Sequence, residues 1–322
     1  MKIVFLDTHT VSKGDVKFDA IAELGDVSFF DYTKNEDVAA RIGDSDAVIC
    51  NKSPITRDVF EKCPNLKYIG LTATGYNNVD LEAATMHGAV VSNVPEYSTN
   101  AVAQHVFALI LHYFNRVSEY SKGVAEGDWI NSTMFSYFHL PIYEISDLKI
   151  GIIGFGSIGK KVCEIASAFG MKVLVYTRTK PIKNNDNNVE FVSLDELLSN
   201  SDVVTIHCPL NEQTQNLICE KNLVKMKNTA LLINAARGPI VNEDDLAFSL
   251  NNDIIAAAGL DVVAVEPMLE SNPLRTAKNC FITPHIAWAP KQTRERLINI
   301  VAQNLKAFIK NSPQNIVNKG SV

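Results

Sequence analysis

The sequence predicts an α/β protein built from two doubly wound parallel-sheet domains. Three observations predict this fold class: short apolar runs alternate with helical patterns, the alternation restarts near residue 147, and 322 residues exceed what one core of ordinary size holds. Each apolar run is nearly continuous, which is typical of strands that helices cover on both faces. We therefore expect two successive units of alternating strands and helices.

The first unit contains five predicted strands. The run that starts at Lys2 is short, and polar residues follow it at once, so it predicts a strand and not a secretory signal segment. A longer pattern from about Thr99 to Asn115 repeats apolar residues at steps of three and four, as a helix does. We expect this helix to lead from the first unit into the second. The five strand segments read KIVFLD, DVSFFD, AVIC, KYIGLTA and AVVSNV.

The second unit contains six predicted strands and ends in a helical pattern from Pro290 to about Lys310, which we expect to return to the first unit. Before these strands, the aromatic stretch 129–143 fits neither the helical nor the strand period. It predicts either a packed surface loop or an arm that buries aromatic side chains on the second subunit of a homodimer. The six strand segments are 149–153, 172–177, 202–207, 229–234, 254–261 and 280–283.

Composition and charge narrow the classes of function. Hydrophobic residues make up 46% and charged residues 20% of the chain, which is an ordinary globular balance. The net charge of −6 repels phosphate backbones, so we expect no nucleic-acid partner. No apolar run is long enough to span a bilayer, so we expect no membrane partner either. The six cysteines form no CxxC pair and predict reduced thiols of a cytoplasmic protein without a metal site; Cys163, Cys208 and Cys280 are expected in the core.

A glycine-rich loop follows the first strand of the second unit. Residues from Lys149 to Gly159 form a strand that runs into GxGxxG, and a helical pattern follows. Gly154 permits a tight turn, Gly156 lets a pyrophosphate approach the backbone, and Gly159 lets the helix pack closely on the strand. The free N–H groups and positive dipole end of that helix favour phosphate. The segment predicts a dinucleotide-binding loop, with a plain strand-to-helix turn as the alternative.

Three polar residues follow three successive strands of the second unit. Arg237 comes after TALLIN, Glu266 after IIAAAGLD, and His285 after CFIT. Ligands of an open α/β sheet bind outside the carboxyl ends of its strands, so we expect these residues and the glycine loop at one edge. Taken singly, Arg237 could cap a turn, Glu266 could be a solvated loop acid, and His285 could be structural. Together, behind a dinucleotide loop, they favour a catalytic set.

The chemistry of these three side chains suits a small 2-keto acid. Arg237 can hold a carboxylate with a fork of N–H donors and polarise the neighbouring ketone oxygen. His285 can give that oxygen its proton as a hydride reaches the ketone carbon. Glu266 can accept a hydrogen bond from the far ring nitrogen of His285, which orients the ring and favours its protonated form. The set therefore predicts hydride transfer between a nicotinamide cofactor and a 2-keto acid.

Several motifs, in the same order and spacing, resemble the signatures of the D-isomer-specific 2-hydroxyacid dehydrogenases, and the resemblance covers essentially the whole chain. Within that family the chain is most similar to the glycerate dehydrogenase and hydroxypyruvate reductase branch. The motifs are Gly154-Phe155-Gly156-Ser157-Ile158-Gly159, His207-Cys208-Pro209-Leu210, Asn234-Ala235-Ala236-Arg237-Gly238, Gly259-Leu260-Asp261 with Glu266-Pro267, and Thr283-Pro284-His285.

The resemblance implies that one unit binds the substrate and the other binds the dinucleotide. A flavodoxin-like substrate domain would span residues 1–99, completed by 288–322, and a Rossmann dinucleotide-binding domain would span 100–287. The loop at Thr74 and Gly75 resembles the family's loop for the substrate carboxylate.

The resemblance also implies the roles argued above for the catalytic set, and it implies further cofactor contacts. The glycine loop, including Ser157 and Ile158, and His207 would bind cofactor. Asp261 would hold the nicotinamide amide or ribose region, and the Asn234-Ala235-Ala236 segment would line the nicotinamide. Pro209 would pack on the adenine, Thr214 would lie near the phosphates, and His105 could face the nicotinamide.

The turn after the second strand of the nucleotide domain bears on the choice of cofactor. An NAD-specific fingerprint places Asp or Glu there to bind the ribose 2′-hydroxyl. This sequence has Thr177 at that place, followed by Arg178, Thr179 and Lys180. Because no acid would repel a 2′-phosphate, we expect NADPH, with NADH tolerated. The alternative is a solvated basic turn that accepts both NAD and NADP.

Other functions remain open at this point. The fold also resembles transcriptional corepressors that sense the redox state of dinucleotides, so the motifs alone allow a non-catalytic binder. A D-lactate-type dehydrogenase is a further alternative, and candidate substrates are hydroxypyruvate, glyoxylate, pyruvate and larger 2-keto acids. Formate dehydrogenase, a relative that lacks the family glutamate, is disfavoured by Glu266.

Overall fold

The computed structural model describes residues 1–178 and 188–318. By its contacts the chain divides into two compact units, one of Met1–Ser98 with Trp288–Val322 and one of Thr99–Ala287. The chain therefore leaves the first unit after Ser98 and returns to it at Trp288. Within the described ranges, no helix combines the length and apolar character that a membrane crossing requires.

The described residues form two parallel sheets, and their strands include all those predicted from apolar runs. One short strand, β8, was not predicted. The strands are β1 (Lys2–Phe5), β2 (Asp26–Phe29), β3 (Ala47–Cys50), β4 (Tyr68–Leu71), β5 (Val90–Ser92), β6 (Lys149–Ile153), β7 (Lys172–Tyr176), β8 (Val189–Phe191), β9 (Val203–Ile206), β10 (Leu231–Asn234), β11 (Ala257–Leu260) and β12 (Cys280–Ile282).

The helices mostly alternate with these strands along the chain, and the last helix follows the last strand. The two long helices predicted near 99–115 and 290–310 are both present. The helices are α1 (Asp19–Ala22), α2 (Val38–Ile42), α3 (Arg57–Lys62), α4 (Leu81–His87), α5 (Thr99–Asn115), α6 (Val117–Glu126), α7 (Ser157–Ala168), α8 (Leu194–Asn200), α9 (Glu220–Leu223), α10 (Glu243–Asn251) and α11 (Lys291–Ile309).

The first unit is built on a five-stranded sheet of order β2-β1-β3-β4-β5 in which every pair is parallel. This is the flavodoxin-like strand order. Every residue of β3 and β4 is buried, which explains their unbroken apolar sequences. Apolar side chains of α11, among them Leu297 and Leu305, pack on one face of the sheet with Phe5 and Tyr68.

The second unit is built on a seven-stranded parallel sheet of order β12-β11-β10-β9-β6-β7-β8. The chain direction across the sheet reverses between β6 and β9, which is the topological switch point where ligands of this fold bind. The register aligns the strand ends at one edge: Ile153 pairs with Ile206, Ile206 with Asn234, Asn234 with Leu260, and Leu260 with Ile282.

The aromatic stretch 129–143 contains neither helix nor strand. Several of its large apolar side chains are exposed: Ile130 is 86%, Phe135 89% and Phe138 73% exposed. The Tyr120 hydroxyl of α6 donates to the Leu140 carbonyl at 2.8 Å and so holds one end of the stretch. The stretch is therefore a surface loop that contacts its own unit at its C-terminal end and leaves most of its large apolar side chains exposed.

All six cysteines carry free thiols. Cys163 is buried, as predicted, whereas Cys208 and Cys280 are only partly buried against the core and not inside it. Cys208 lies in the loop after β9, and Cys280 is the first residue of β12. Burial, with a smaller effect of the Glu243 charge, raises the pKa of the Cys280 thiol to about 12, so this thiol stays protonated at neutral pH.

Candidate active site

The glycine loop after β6 has the shape that a dinucleotide requires. Gly154 has φ +96°, a conformation that L side chains rarely adopt, and a Cβ atom there would lie 2.6 Å from the Cys208 backbone nitrogen. A Cβ on Gly159 would collide with the Gly154 carbonyl oxygen. A Cβ on Gly156 would meet nothing within 4 Å. The lack of a side chain at Gly156 thus leaves open space beside the backbone, which fits a pyrophosphate.

The start of α7 offers N–H donors to that space. Gly156 is the N-cap, and no side chain of the described residues caps the first turn. The Lys160 N–H is bonded to the Gly156 carbonyl at 2.9 Å, so the N–H groups of Ser157 and Ile158 precede the helical bonds. These donors and the positive helix end favour an anion. The loop therefore fits the pyrophosphate of a dinucleotide.

The turn after β7 begins beside the glycine loop, because the Gly154 N–H donates to the Tyr176 carbonyl at 2.8 Å. Thr177 is partly buried there and Arg178 is exposed. The predicted contact Thr179 lies outside the described residues. Thr177 stands where an NAD-specific fingerprint has Asp or Glu, and it is therefore next to the loop that would hold the pyrophosphate.

The segment after β9 combines a partly buried ring with an ordered turn. The His207 Nε2 atom lies 2.9 Å from the Thr205 hydroxyl, and burial lowers the pKa of His207 to about 3, so its ring is neutral. The Thr214 hydroxyl donates to the Pro209 carbonyl at 2.7 Å and accepts from the Asn211 N–H at 2.8 Å. Thr214 therefore closes the turn that exposes Pro209.

The segment after β10 presents Arg237. Asn234 is buried; its Nδ2 donates to the Arg237 carbonyl at 2.9 Å and its Oδ1 accepts from the Ala236 N–H at 3.0 Å. Ala235 and Ala236 are partly buried, and Arg237 is exposed. The Arg237 guanidinium donates to the Ala236 carbonyl at 2.7 Å, which uses one of its five N–H donors. Asn234 thus sets the turn from which Arg237 projects.

The structure brings Glu266 and His285 into direct contact. The Nδ1 atom of His285 lies 2.6 Å from Oε2 of Glu266, and the two side chains are 31% and 34% exposed. Oε1 of Glu266 accepts from the Val263 N–H at 3.3 Å. An ionised carboxylate can only accept, so Nδ1 carries the proton in this bond. The far nitrogen, Nε2, is left for a substrate.

Asp261 has a role that the sequence did not reveal. It is 1% exposed, and its carboxylate accepts from the Thr283 hydroxyl at 2.6 Å, the Ile286 N–H at 2.9 Å and the Ala287 N–H at 2.8 Å. These bonds enclose His285, whose φ of +54° is uncommon for a residue other than glycine. Asp261 therefore holds the turn that presents His285.

His105 of α5 points at the same cluster. Its Nε2 lies 2.9 Å from the Thr283 hydroxyl and 3.4 Å from Oδ1 of Asp261. His105 and Asp261 are both predicted to contact the nicotinamide. In the structure they lie next to each other at the end of β12, and both contact the Thr283 hydroxyl.

The Arg237 segment and the Glu266 segment are packed against each other. A Cβ atom on Gly238 would collide with the Val263 carbonyl group and lie against the Ala264 nitrogen. The residue after Arg237 must therefore be a glycine for the two segments to approach. Arg237, Glu266 and His285 all follow strands that end at one edge of the second unit's sheet, as does the glycine loop.

Thr74 and Gly75 belong to the first unit, in the loop after β4. The Thr74 hydroxyl donates to the Val94 carbonyl, and the Thr74 carbonyl accepts from Asn93 Nδ2, both at 2.7 Å. Among the described residues, none accepts a hydrogen bond from the N–H of Thr74 or Gly75. The loop is thus fixed through its oxygens, while its N–H groups are available to an anion.

Comparison with known proteins agrees with this geometry. Residues 107–287 match the family model of the D-isomer specific 2-hydroxyacid dehydrogenase, NAD binding domain. The chain is 45% identical to a hydroxypyruvate reductase of Blautia hydrogenotrophica over 322 residues, 99% of this chain and 100% of the relative. It is 37% identical to a glycerate dehydrogenase of Methylorubrum extorquens over 318 residues, 98% of each protein. A solved acyclic imino acid reductase in complex with NADPH and D-Arg matches with a TM-score of 0.85 at 32% identity, covering 98% of this chain and 100% of that one. The chain therefore belongs to the D-isomer-specific 2-hydroxyacid dehydrogenase family of oxidoreductases.

Proposed function

We propose that the protein reduces a small 2-keto acid of the hydroxypyruvate or glyoxylate kind, giving the D-2-hydroxy acid where the product is chiral. The observation that carries this proposal is the 2.6 Å bond between Glu266 and His285, beside the Arg237 segment and on the sheet edge of the glycine loop. Relatives with the printed names hydroxypyruvate reductase and glycerate dehydrogenase support the substrate class, because glycerate and hydroxypyruvate differ by one hydride and one proton.

Each catalytic side chain has a distinct task in this proposal. When bound, the reduced nicotinamide supplies the hydride that adds to the ketone carbon. His285 donates a proton from Nε2 to the ketone oxygen, while Glu266 holds Nδ1 and stabilises the charged ring. Arg237 binds the substrate carboxylate through its planar fork of donors. Thr74 and Gly75 offer backbone N–H groups to a carboxylate, and the first unit with residues 288–318 acts as the substrate domain.

The second unit binds the cofactor, and we propose a preference for NADPH with NADH tolerated. The glycine loop holds the pyrophosphate, and the turn at Thr177 and Arg178 receives the adenosine ribose. The solved relative with bound NADPH supports a site of this kind. Neutral His207 and exposed Pro209 contact the adenosine half. Asn234 and the two alanines that follow it line the nicotinamide.

The aromatic stretch 129–143 supports a proposal on assembly. Large apolar side chains at 86% and 89% exposure are typical of an interface rather than of free surface. We propose that the protein is cytoplasmic and forms an isologous homodimer in which the stretch packs on the second copy. Light scattering at micromolar concentration should give about twice the mass of one chain. A monomer at that concentration would contradict the proposal.

A panel of 2-keto acids tests the proposed reaction. Purified protein is mixed with NADH or NADPH, and cofactor oxidation is followed with hydroxypyruvate, glyoxylate, pyruvate and a larger 2-keto acid. We expect turnover with hydroxypyruvate or glyoxylate. Normal cofactor binding without turnover of any member would instead support the dinucleotide-sensing alternative, and turnover of pyruvate above the others would support the D-lactate-type alternative.

A further inference from the structure

A single carboxylate holds both ends of the loop that carries Glu266. Oε1 of Glu243 accepts from the Ala264 N–H at 2.7 Å, and Oε2 accepts from Nδ2 of Asn272 at 3.0 Å. Glu266 lies between these two attachment points. Glu243 is the first residue of α10. It is 21 residues from Ala264 and 29 from Asn272 along the chain, so this clamp is a tertiary feature.

The partners of Glu243 are themselves fixed. Oδ1 of Asn272 accepts from the Leu274 N–H at 3.0 Å and caps the 3-10 turn Pro273–Thr276, so its amide cannot rotate without losing that bond. At the other end, the peptide between Val263 and Ala264 is in close contact with Gly238, next to Arg237. Glu243 therefore holds the Glu266 loop to a capped turn at one end, and at the other end it binds Ala264, which lies against the Arg237 segment.

The clamp acts on Glu266 through one backbone group. Oε1 of Glu266 accepts from the Val263 N–H, and Val263 precedes Ala264, to which Glu243 is bonded. A shift of Ala264 would therefore move the group that orients the Glu266 carboxylate. The bond from Glu266 to His285 is short, and short charge-assisted bonds depend steeply on geometry.

We propose that Glu243 is a positioning residue of the active site: its carboxylate clamps both ends of the Glu266 loop and thereby keeps Glu266 in hydrogen-bond contact with His285. The effect of this clamp on catalysis rests on the function proposed above. Its effect on the hydrogen bond between Glu266 and His285 can be measured separately, because that bond can be observed without turnover.

The test exchanges the donor and the acceptor of the hydrogen bond between residues 243 and 272. Glu243→Gln keeps the side-chain shape but sets an NH₂ group either against the NH₂ of Asn272 or against the Ala264 N–H, so one attachment is lost in either orientation. Asn272→Asp sets two carboxylates against each other. In the double variant, the glutamine NH₂ donates to the aspartate, whose other oxygen still accepts from Leu274. Asp244→Asn, at the exposed next position of α10, is the matched control for the lost charge.

Two measurements read out the clamp in the whole protein labelled with ¹⁵N-histidine. The first is the downfield Nδ1–H resonance of His285, assigned by its absence in His285→Ala. The second is the steady-state reduction of hydroxypyruvate. We expect both single variants to lose or broaden the resonance and to lower kcat about tenfold, with KM for the keto acid changed less than about twofold. The double variant and the Asp244→Asn control should keep the resonance and most of kcat.

The outcomes separate the clamp from simple structural damage. Thermal unfolding is recorded for each variant, and a folded double variant that regains the resonance supports the clamp even where a single variant is unstable. Wild-type resonance and kcat in both single variants would overturn the proposal, as would a folded double variant that does not regain them. If the wild type reduces no 2-keto acid, the proposed function fails, and the resonances still decide the clamp.

Discussion

His285 and Glu266 are joined by a 2.6 Å hydrogen bond although 19 residues separate them along the chain. The bond occupies Nδ1 of the ring and leaves Nε2 for a substrate. Both side chains are about one-third exposed, so the pair is anchored and yet accessible to a ligand. A general acid needs this arrangement, with one nitrogen held in orientation and the other aimed at the group that receives the proton.

Replacement of His285 by alanine should cut kcat for keto-acid reduction by about two to four orders of magnitude, the usual contribution of general acid–base catalysis. Cofactor affinity should change little, because the glycine loop follows a different strand. Steady-state kinetics and fluorescence titration with reduced cofactor measure the two quantities. A variant that keeps more than about a third of wild-type kcat would remove His285 from the catalytic role.

Glu266→Gln should shift the pH dependence of reduction. Glutamine can still accept a hydrogen bond, but it no longer supplies the negative charge that stabilises the protonated ring. Reduction by the variant should therefore decline at a lower pH than reduction by the wild type, with the largest loss at alkaline pH. Rates from pH 5 to 10 at saturating substrate test this, and an unchanged profile would refute the coupling between Glu266 and His285.

Thr177→Asp should move cofactor preference toward NADH. The new carboxylate would accept a hydrogen bond from the ribose 2′-hydroxyl and repel a 2′-phosphate. Arg178→Ala should weaken NADPH more than NADH, by roughly ten- to a hundredfold if the guanidinium makes a charge-assisted bond to the phosphate. The measure is kcat/KM for each cofactor. A wild-type preference for NADH of tenfold or more would contradict a 2′-phosphate site at this turn.

His207 should make the protein sensitive to acid. Its pKa is about 3 in the folded protein and near 6.5 in an unfolded chain, so the unfolded chain alone binds this proton between those pH values. Stability should therefore fall as pH drops below about 6.5, by up to about 1.4 kcal/mol per pH unit from this group. Urea unfolding of His207→Asn should show a shallower loss between pH 6.5 and 4.5, whereas His139→Asn, at an exposed position, should follow the wild type.

The sequence predicts most strands of this fold because burial on both faces leaves a continuous apolar run. Every residue of β3, β4, β9 and β10 is buried. β8 was missed because it has three residues, carries the exposed Glu190, and pairs with β7 alone at the sheet edge. A short edge strand has no hydrophobic pattern of its own, so its existence depends on the neighbouring strand.

The sequence also points to Arg237, Glu266 and His285, because parallel strands bring the residues that follow them to one edge. It gives no sign of the clamp by Glu243 or of the Asp261 carboxylate bonded to residues 22 to 26 positions away. Three of these bonds come from backbone N–H groups, which carry no residue-specific signal, and the other two come from the Thr283 hydroxyl and the Asn272 amide, which are distant along the chain. Only the three-dimensional path of the loops reveals these partners.

The configuration of the product tests the central claim most directly. Wild-type protein is incubated with hydroxypyruvate and an excess of reduced cofactor, and the glycerate formed is resolved by chiral chromatography. The chain belongs to a D-isomer-specific family. Hydride transfer with His285 as the proton donor should therefore give D-glycerate in an amount equal to the cofactor oxidised. L-glycerate, or oxidation of the cofactor without glycerate, would contradict the account.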